Sequence, residues 1–341
     1  MAGRGSVWSD PKVKELSREF TPATDESFRL QTSDDRQAQF FRTMVHGDPK
    51  KVSGSRQGTY ICTPGGRLLA RGNSTDPRAI ERIMAGGLQA WNALSPEERA
   101  RPVPPSLLPE HRYEHFYPSE GLALLAVHRE RVPDEPNSFR GMNLDHAWFS
   151  KEEIDGWWQT FRGAADEATR GVISSARIPV PAPLVDRWVR LHLVDNVRGQ
   201  EGPFAPEDVE RAEVTARVLE STGDRVRIAI EGRTRVETDG VWKMGESSWK
   251  NFPPSPRGVE VRLIGTAIYD RREARFVEFQ LVALGESWGS GKLNGRGGRE
   301  EGVRTPLAWR FSLIPPGAPD RVPPAFVDMY DVPWIEVSTA K

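Results

Sequence analysis

The chain has 341 residues, with 47 basic and 48 acidic side chains and a formal net charge of −1. That balance offers no overall attraction for nucleic acid or an anionic membrane, and no run approaches the roughly 18 uninterrupted apolar residues of a spanning helix. The single cysteine, Cys62, excludes an intramolecular disulfide and any multi-cysteine metal site.

At 37% apolar and 28% charged residues the chain falls among soluble globular proteins, and its length fits two domains or one large one. Its 28 prolines and 31 glycines point to many turns and long connections rather than long helices. The 11 tryptophans read first as core filling and sheet cover, with stacking on a flat ligand as the alternative. Met1 to Ser6 has no apolar centre and does not read as a signal peptide, so a cytoplasmic location is the default expectation.

Val7-Trp8-Ser9-Asp10-Pro11-Lys12 opens a helix, with Asp10 as its cap and Pro11 at its first position. Val13, Leu16 and Phe20 then recur at helical spacing. Thr21 to Asp25 reads as a short strand, and Phe40 and Phe41 lie in another short helix. Thr59 to Arg71 is a hairpin by pattern, turning at Pro64-Gly65-Gly66. Cys62 lies in its apolar alternating run, which predicts a buried, inert thiol. Asp76-Pro77 starts a helix whose apolar face is Ile80, Ile83, Met84, Leu88 and Trp91, and a charged linker follows from Ser95 to Pro109.

Val7 to Lys12 resembles the Trp-Cys-x-Pro-Cys active site of a thioredoxin, with Ser9 and Lys12 where the two cysteines stand. Gln57 to Ala70 is similar to the hairpin after that fold's cis-proline, with Gly58 at the proline position. The order helix–strand–helix–hairpin–helix over roughly residues 7–94 resembles a thioredoxin-like domain, although too few residues precede Trp8 for a full leading strand. Asp10 to Leu16 followed by Phe20 also looks like non-redox bacterial members of the superfamily. The resemblance implies a redox scaffold without redox chemistry, because exchange needs a thiolate and a second, resolving thiol.

From Glu110 the texture changes. Gly121 to Arg131 is an apolar run of strand length. Ser150 and Glu153 form a capping-box pair ahead of Ile154, Trp157, Trp158 and Phe161, which predicts a helix. Glu152 and Glu153 suit that helix start, where the dipole favours carboxylates. Val185 to Val194 fits helix or strand. Five alternating runs follow: Val214 to Leu219, Val226 to Ile230, Val259 to Leu263, Phe276 to Leu281 and Leu307 to Phe311. Thr222-Gly223-Asp224 and Asp239-Gly240 are turn signals between them. The pattern predicts an antiparallel sheet, as a sandwich or a partly closed barrel. Arg217, Arg227, Glu260, Arg262 and Glu278 mark its solvated side. From Pro315 a Pro-rich tail is expected to pack in extended form. The expected fold is α+β: a cysteine-less thioredoxin-like α/β domain over 1–95, a linker over 96–109, a larger, mostly antiparallel β domain with a few helices over 110–315, and a tail over 316–341.

Six histidines are candidates for metal binding or base catalysis: His46, His111, His115, His128, His146 and His192. His111 and His115 are four apart with Glu110 and Glu114 beside them, a metal pair on a helix or a chance spacing in a Pro-flanked loop. Asn143 to Phe149 and Leu191 to Gly199 each gather His, Asp and Asn within a few residues. His–Asp partnership orients an imidazole, so His146, His192 and Asp195 are the candidate catalytic residues, and His128, His146 and His192 the candidate metal ligands. The plainer reading of Asp195 to Gly199 is an Asx-turn with a salt bridge to Arg198. Gly285 to Lys292 lacks P-loop spacing. Arg296, Arg299 and Arg304 fit an anion-binding loop or a solvated one. No GxSxG occurs.

Three functions compete. The first is a non-redox bacterial thioredoxin-like protein whose β domain binds a small molecule or a protein. The second is a metal-assisted enzyme with a His/Asp site, whose cofactor would be a transition metal ion. The third is an assembly protein, which implies a homo-oligomer. None calls for nucleic acid or a membrane span.

Overall fold

The structure, a computed structural model, describes residues 7–8, 10–21, 23, 30–31, 34–51, 57–74, 76–103, 120–173, 175–199, 201–240, 256–291, 294–297, 302–318 and 324, without the side chains of 136 and 137. The chain divides into two compact units, residues 3–115 and residues 116–341.

In the N-terminal unit, carboxylates set the helix starts. Asp10 accepts from the amides of Lys12 (2.9 Å) and Val13 (3.2 Å) and caps α1 (Pro11–Ser17). Asp35 accepts from Ala38 N at 2.8 Å and caps α2 (Arg36–His46), which ends on Gly47 with φ +72°. The hairpin is formed by β1 (Thr59–Cys62) and β2 (Leu68–Gly72). Asp76 caps α3 (Pro77–Asn92), and a capping box of Ser95 and Glu98 starts α4 (Pro96–Arg99), a helical turn where a charged linker was expected. Val7, Val13, Ile61, Ile80 and Met84 make the core. Strand and helix approach closely there: a Cβ at Gly87 would stand 2.7 Å from Cδ1 of Ile61.

Two expectations change. Ile61 takes the inward position of β1, so Cys62 points out and is exposed rather than buried. Thr21 and Ala23 of the expected strand are irregular, and its other residues lie outside the described ones. Among the described residues this unit's sheet has two strands.

The second unit is built on β3 (Leu122–Val132), β4 (Glu135–Phe149), α5 (Lys151–Thr169), β5 (Ile178–Pro179) and α6 (Ala182–Arg187), which runs on into a π-helical turn, Trp188–His192. A 3₁₀ turn, Pro206–Asp208, precedes β6 (Val209–Thr222), β7 (Arg225–Thr238), β8 (Arg257–Asp270), β9 (Arg275–Gly289) and β10 (Arg304–Leu313). These strands form one antiparallel eight-stranded sheet in the order β4-β3-β10-β9-β8-β7-β6-β5. Its edges, β4 and β5, do not meet. The expected sandwich is therefore a single open sheet, and the barrel does not close. The reason is that helices cover one face, so no second sheet is needed to bury it.

That cover is aromatic. Ile154, Trp157, Phe161 and Ala165 line the buried side of α5 and join Trp188, Phe276, Phe279 and Trp309 in the main core. Trp157 packs on Phe276 with centroids 5.0 Å apart, and Trp158 stacks on Tyr269 at 4.6 Å and 9°. Trp157, Trp188 and Trp309 thus fill the core rather than face a ligand.

The helix starts where the sequence says. Ser150 Oγ accepts from Glu153 N at 3.3 Å, and Glu153 Oε2 accepts from Ser150 N at 2.7 Å. Ser150→Ala is expected to lower stability by about 1 kcal/mol; urea unfolding measures it, and a variant indistinguishable from the parent would contradict the capping role. Among the described residues no helix is long and apolar enough to cross a membrane.

Candidate functional site

Inward positions of β3 are apolar up to Ala126 and then change: His128 and Glu130 point into the covered side of the sheet. Asp145 and Asn143 lie opposite Ala126 and His128 on β4. The end of the π-turn brings His192 to this cluster, the segment after it brings Asp195, Asn196 and Glu201, and the segment after β9 brings Asn294 and Arg296.

Here Nδ1 of His192 lies 3.0 Å from Oδ2 of Asp145. Burial alone would raise Asp145, but the hydrogen bond and charge of His192, with His128 adding to them, hold it down at about 2. His128 Nδ1 is 3.3 Å from the Val194 carbonyl, which also accepts from Trp309 Nε1 at 3.1 Å. A bond to a carbonyl needs the hydrogen on Nδ1, so the neutral ring leaves Nε2 bare. Among the described residues Nε2 has no hydrogen-bond partner. Burial pushes His128 down to about 4 against the pull of Asp145.

Arg296 ties the cluster together. Its Nε and Nη2 bond the two carboxylate oxygens of Asp195 at 2.9 and 3.0 Å, and its Nη1 bonds Glu130 at 2.7 Å. Ser287 Oγ donates to Asp195 at 2.7 Å. Glu130 also takes Arg198 (2.9 Å from both Nε and Nη2) and Arg140 Nε (2.6 Å). Burial would raise Glu130, but these guanidiniums bring it to about 2. Glu201 differs. Burial pushes it up to about 7, although Arg257 Nε lies 3.1 Å away and Asn294 Nδ2 donates at 2.7 Å.

The structure thus gathers His128, His192 and Asp195 of the expected residues, with Asp145. It leaves out His146. Asp145 and His146 are consecutive on a strand and face opposite sides, so His146 stands across from Leu125 on the outer face. The three expected metal ligands do not converge, and among the described residues no three His, Cys, Asp or Glu side chains are grouped to hold a metal ion. Arg198 pairs with Glu130, not Asp195. Arg296, expected in a loose loop, is 5% exposed. His46 ends α2, and His111 and His115 lie outside the described residues. Sequence reading missed Glu130, Glu201, Arg257, Ser287 and Asn294; the available signal was Glu130, two residues after His128 on an otherwise apolar inner face.

Chemically, the cluster could support acid–base work at Nε2 of His128, but His128, Asp145 and His192 are 0, 4 and 1% exposed, which seals them from solvent. What it does structurally is lock two irregular segments onto the end of the sheet.

The outer face of the sheet contrasts with it. Ile264 is 64% exposed, and Val282, opposite it on β9, and Leu284 are exposed as well. Beside them lies a groove of about 300 Å³ lined by Arg211, Arg233, Arg262, Glu260, Val261, Leu284, Gly285 and Glu286. Arg235 bonds Glu210, Glu237 and Glu260 at 2.6, 2.5 and 3.2 Å.

No family model, no curated protein and no solved structure matches the chain.

Proposed function

We propose that the chain is a non-redox binding protein whose β-rich unit takes a ligand or partner on its outer sheet face. One observation carries this reading: the sheet is sealed on one side by an aromatic core and a locked ionic cluster, while its other side exposes Ile264, Val282 and Leu284 beside an arginine-lined groove. A contiguous exposed apolar patch rimmed by charge is the usual mark of an interaction surface. In this reading the N-terminal unit is a docking module of the thioredoxin-like, non-redox bacterial kind. The lone cysteine of the chain supports that, since no second thiol can resolve a mixed disulfide. The metal-assisted enzyme has less support, because His146 faces away from His128 and His192.

The test is a titration of the folded chain with anilinonaphthalene sulfonate, a probe with apolar rings and one anionic group. Saturable binding is expected, weakened at least tenfold in Ile264→Glu/Leu284→Glu. Equal fluorescence from parent and variant would overturn the reading.

A further inference from the structure

The groove on the outer face has an unusual charge arrangement. Arg233 on β7 stands directly opposite Arg262 on β8. Arg211 on β6 is opposite Arg235 and therefore diagonal to Arg233. Like charges directly opposite on neighbouring strands repel and destabilise a sheet, and such pairs normally alternate in sign.

Carboxylates lie within the groove, but the ion pairs they make are with other arginines. Glu260 is held by Arg235 at 3.2 Å and by Arg304 at 3.8 Å, and Glu286 faces Arg304 at 3.6 Å. Glu213 is in register with Arg233. Among the described residues, however, none of Arg211, Arg233 and Arg262 makes a salt bridge or a side-chain hydrogen bond. Three guanidiniums therefore line one groove with their donors uncommitted.

We propose that this groove binds a phosphate-type dianion through Arg211, Arg233 and Arg262; the proposal rests on the reading of the outer face as a binding surface. Each guanidinium presents five N–H donors in a rigid fork. A carboxylate has two oxygens and one charge, too few for three forks. A phosphomonoester has three free oxygens and a charge near −2, and it accepts bidentate bonds from more than one arginine. A groove of about 300 Å³ matches a phosphate with a small body attached. Leu284 in the lining, with Val282 and Ile264 beyond it, offers that body an apolar wall. The phosphate belongs either to a soluble small molecule or to a lipid headgroup.

Calorimetric titration of the full chain with inorganic pyrophosphate, at neutral pH and low salt, tests the site. One saturable site is expected, weakened tenfold or more in Arg233→Gln/Arg262→Gln and unchanged in Arg227→Gln, an exposed arginine of the same face outside the groove. Thermal unfolding confirms that each variant is folded. Absence of saturable binding, or equal loss in Arg227→Gln, overturns the proposal. A second arm separates the sources: cosedimentation with phosphatidylcholine vesicles with and without phosphatidic acid. Arginine-dependent capture by phosphatidic acid identifies a headgroup, and pyrophosphate binding without capture identifies a soluble phosphate. If pyrophosphate fails while the dye still depends on Ile264 and Leu284, the phosphate site falls and the binding reading stands. If both fail, both fall.

Discussion

Arg296→Met is expected to destabilise the β-rich unit by about 3–5 kcal/mol, the usual cost of removing one partner from a buried ion pair. Arg296 is the shared cation of two carboxylates that are each 1% exposed, Asp195 and Glu130. The loss does not fall evenly. Glu130 loses one guanidinium bond and keeps Arg198 and Arg140, whereas Asp195 loses two, from Nε and Nη2 of Arg296. A charged, nearly dry Asp195 is therefore where the cost arises, and Asp195→Asn added to Arg296→Met should recover a large part of it. Urea unfolding followed by tryptophan fluorescence measures both variants. A single-variant loss below about 1 kcal/mol, or no recovery in the double, would mean that the cluster does not anchor the segments it joins.

That cluster also marks where sequence reading runs out. Alternation located β6 to β10 because their inner positions are apolar and their outer ones charged, as in Val226-Arg227-Ile228. It passed over β4, where the pattern is inverted: Asn143 and Asp145 point inward while Leu144 is exposed. Period two reports which residues share a face, but not what covers it, so an open sheet under helices and a sandwich read alike. The α5 start was legible because its signal is local, Ser150 to Glu153. The site was only half legible for the opposite reason. His192 and Asp195 announced themselves as polar residues after an apolar run, but the bond from Arg296 to Glu130 spans 166 residues. The arginine groove was read as a solvated side, since the juxtaposition of Arg233 and Arg262 exists only once the strand register is known.

The sealed cluster further predicts two opposed pH dependences of stability. His128 sits at about 4 in the folded chain against an ordinary 6.5. Its contribution is complete above about 6.5 and is lost as pH falls towards 4, because only the unfolded chain then takes the proton. Glu201 sits at about 7 against 4.5. Its contribution is complete below about 4.5 and is lost as pH rises towards 7, because only the unfolded chain then releases the proton. Each amounts to about 3 kcal/mol. Between pH 4.5 and 6.5 the two slopes oppose, and the parent profile should be nearly flat. Glu130 and Asp145, both held near 2, act below that window. His128→Gln should unmask Glu201, so stability climbs as pH falls from 7 to 4.5. Glu201→Gln should unmask His128, so stability drops over the same interval. Unfolding free energies at half-unit pH steps decide it: profiles of the two variants that run parallel would show that the two buried groups do not keep their depressed and raised titrations, and that water reaches the cluster after all.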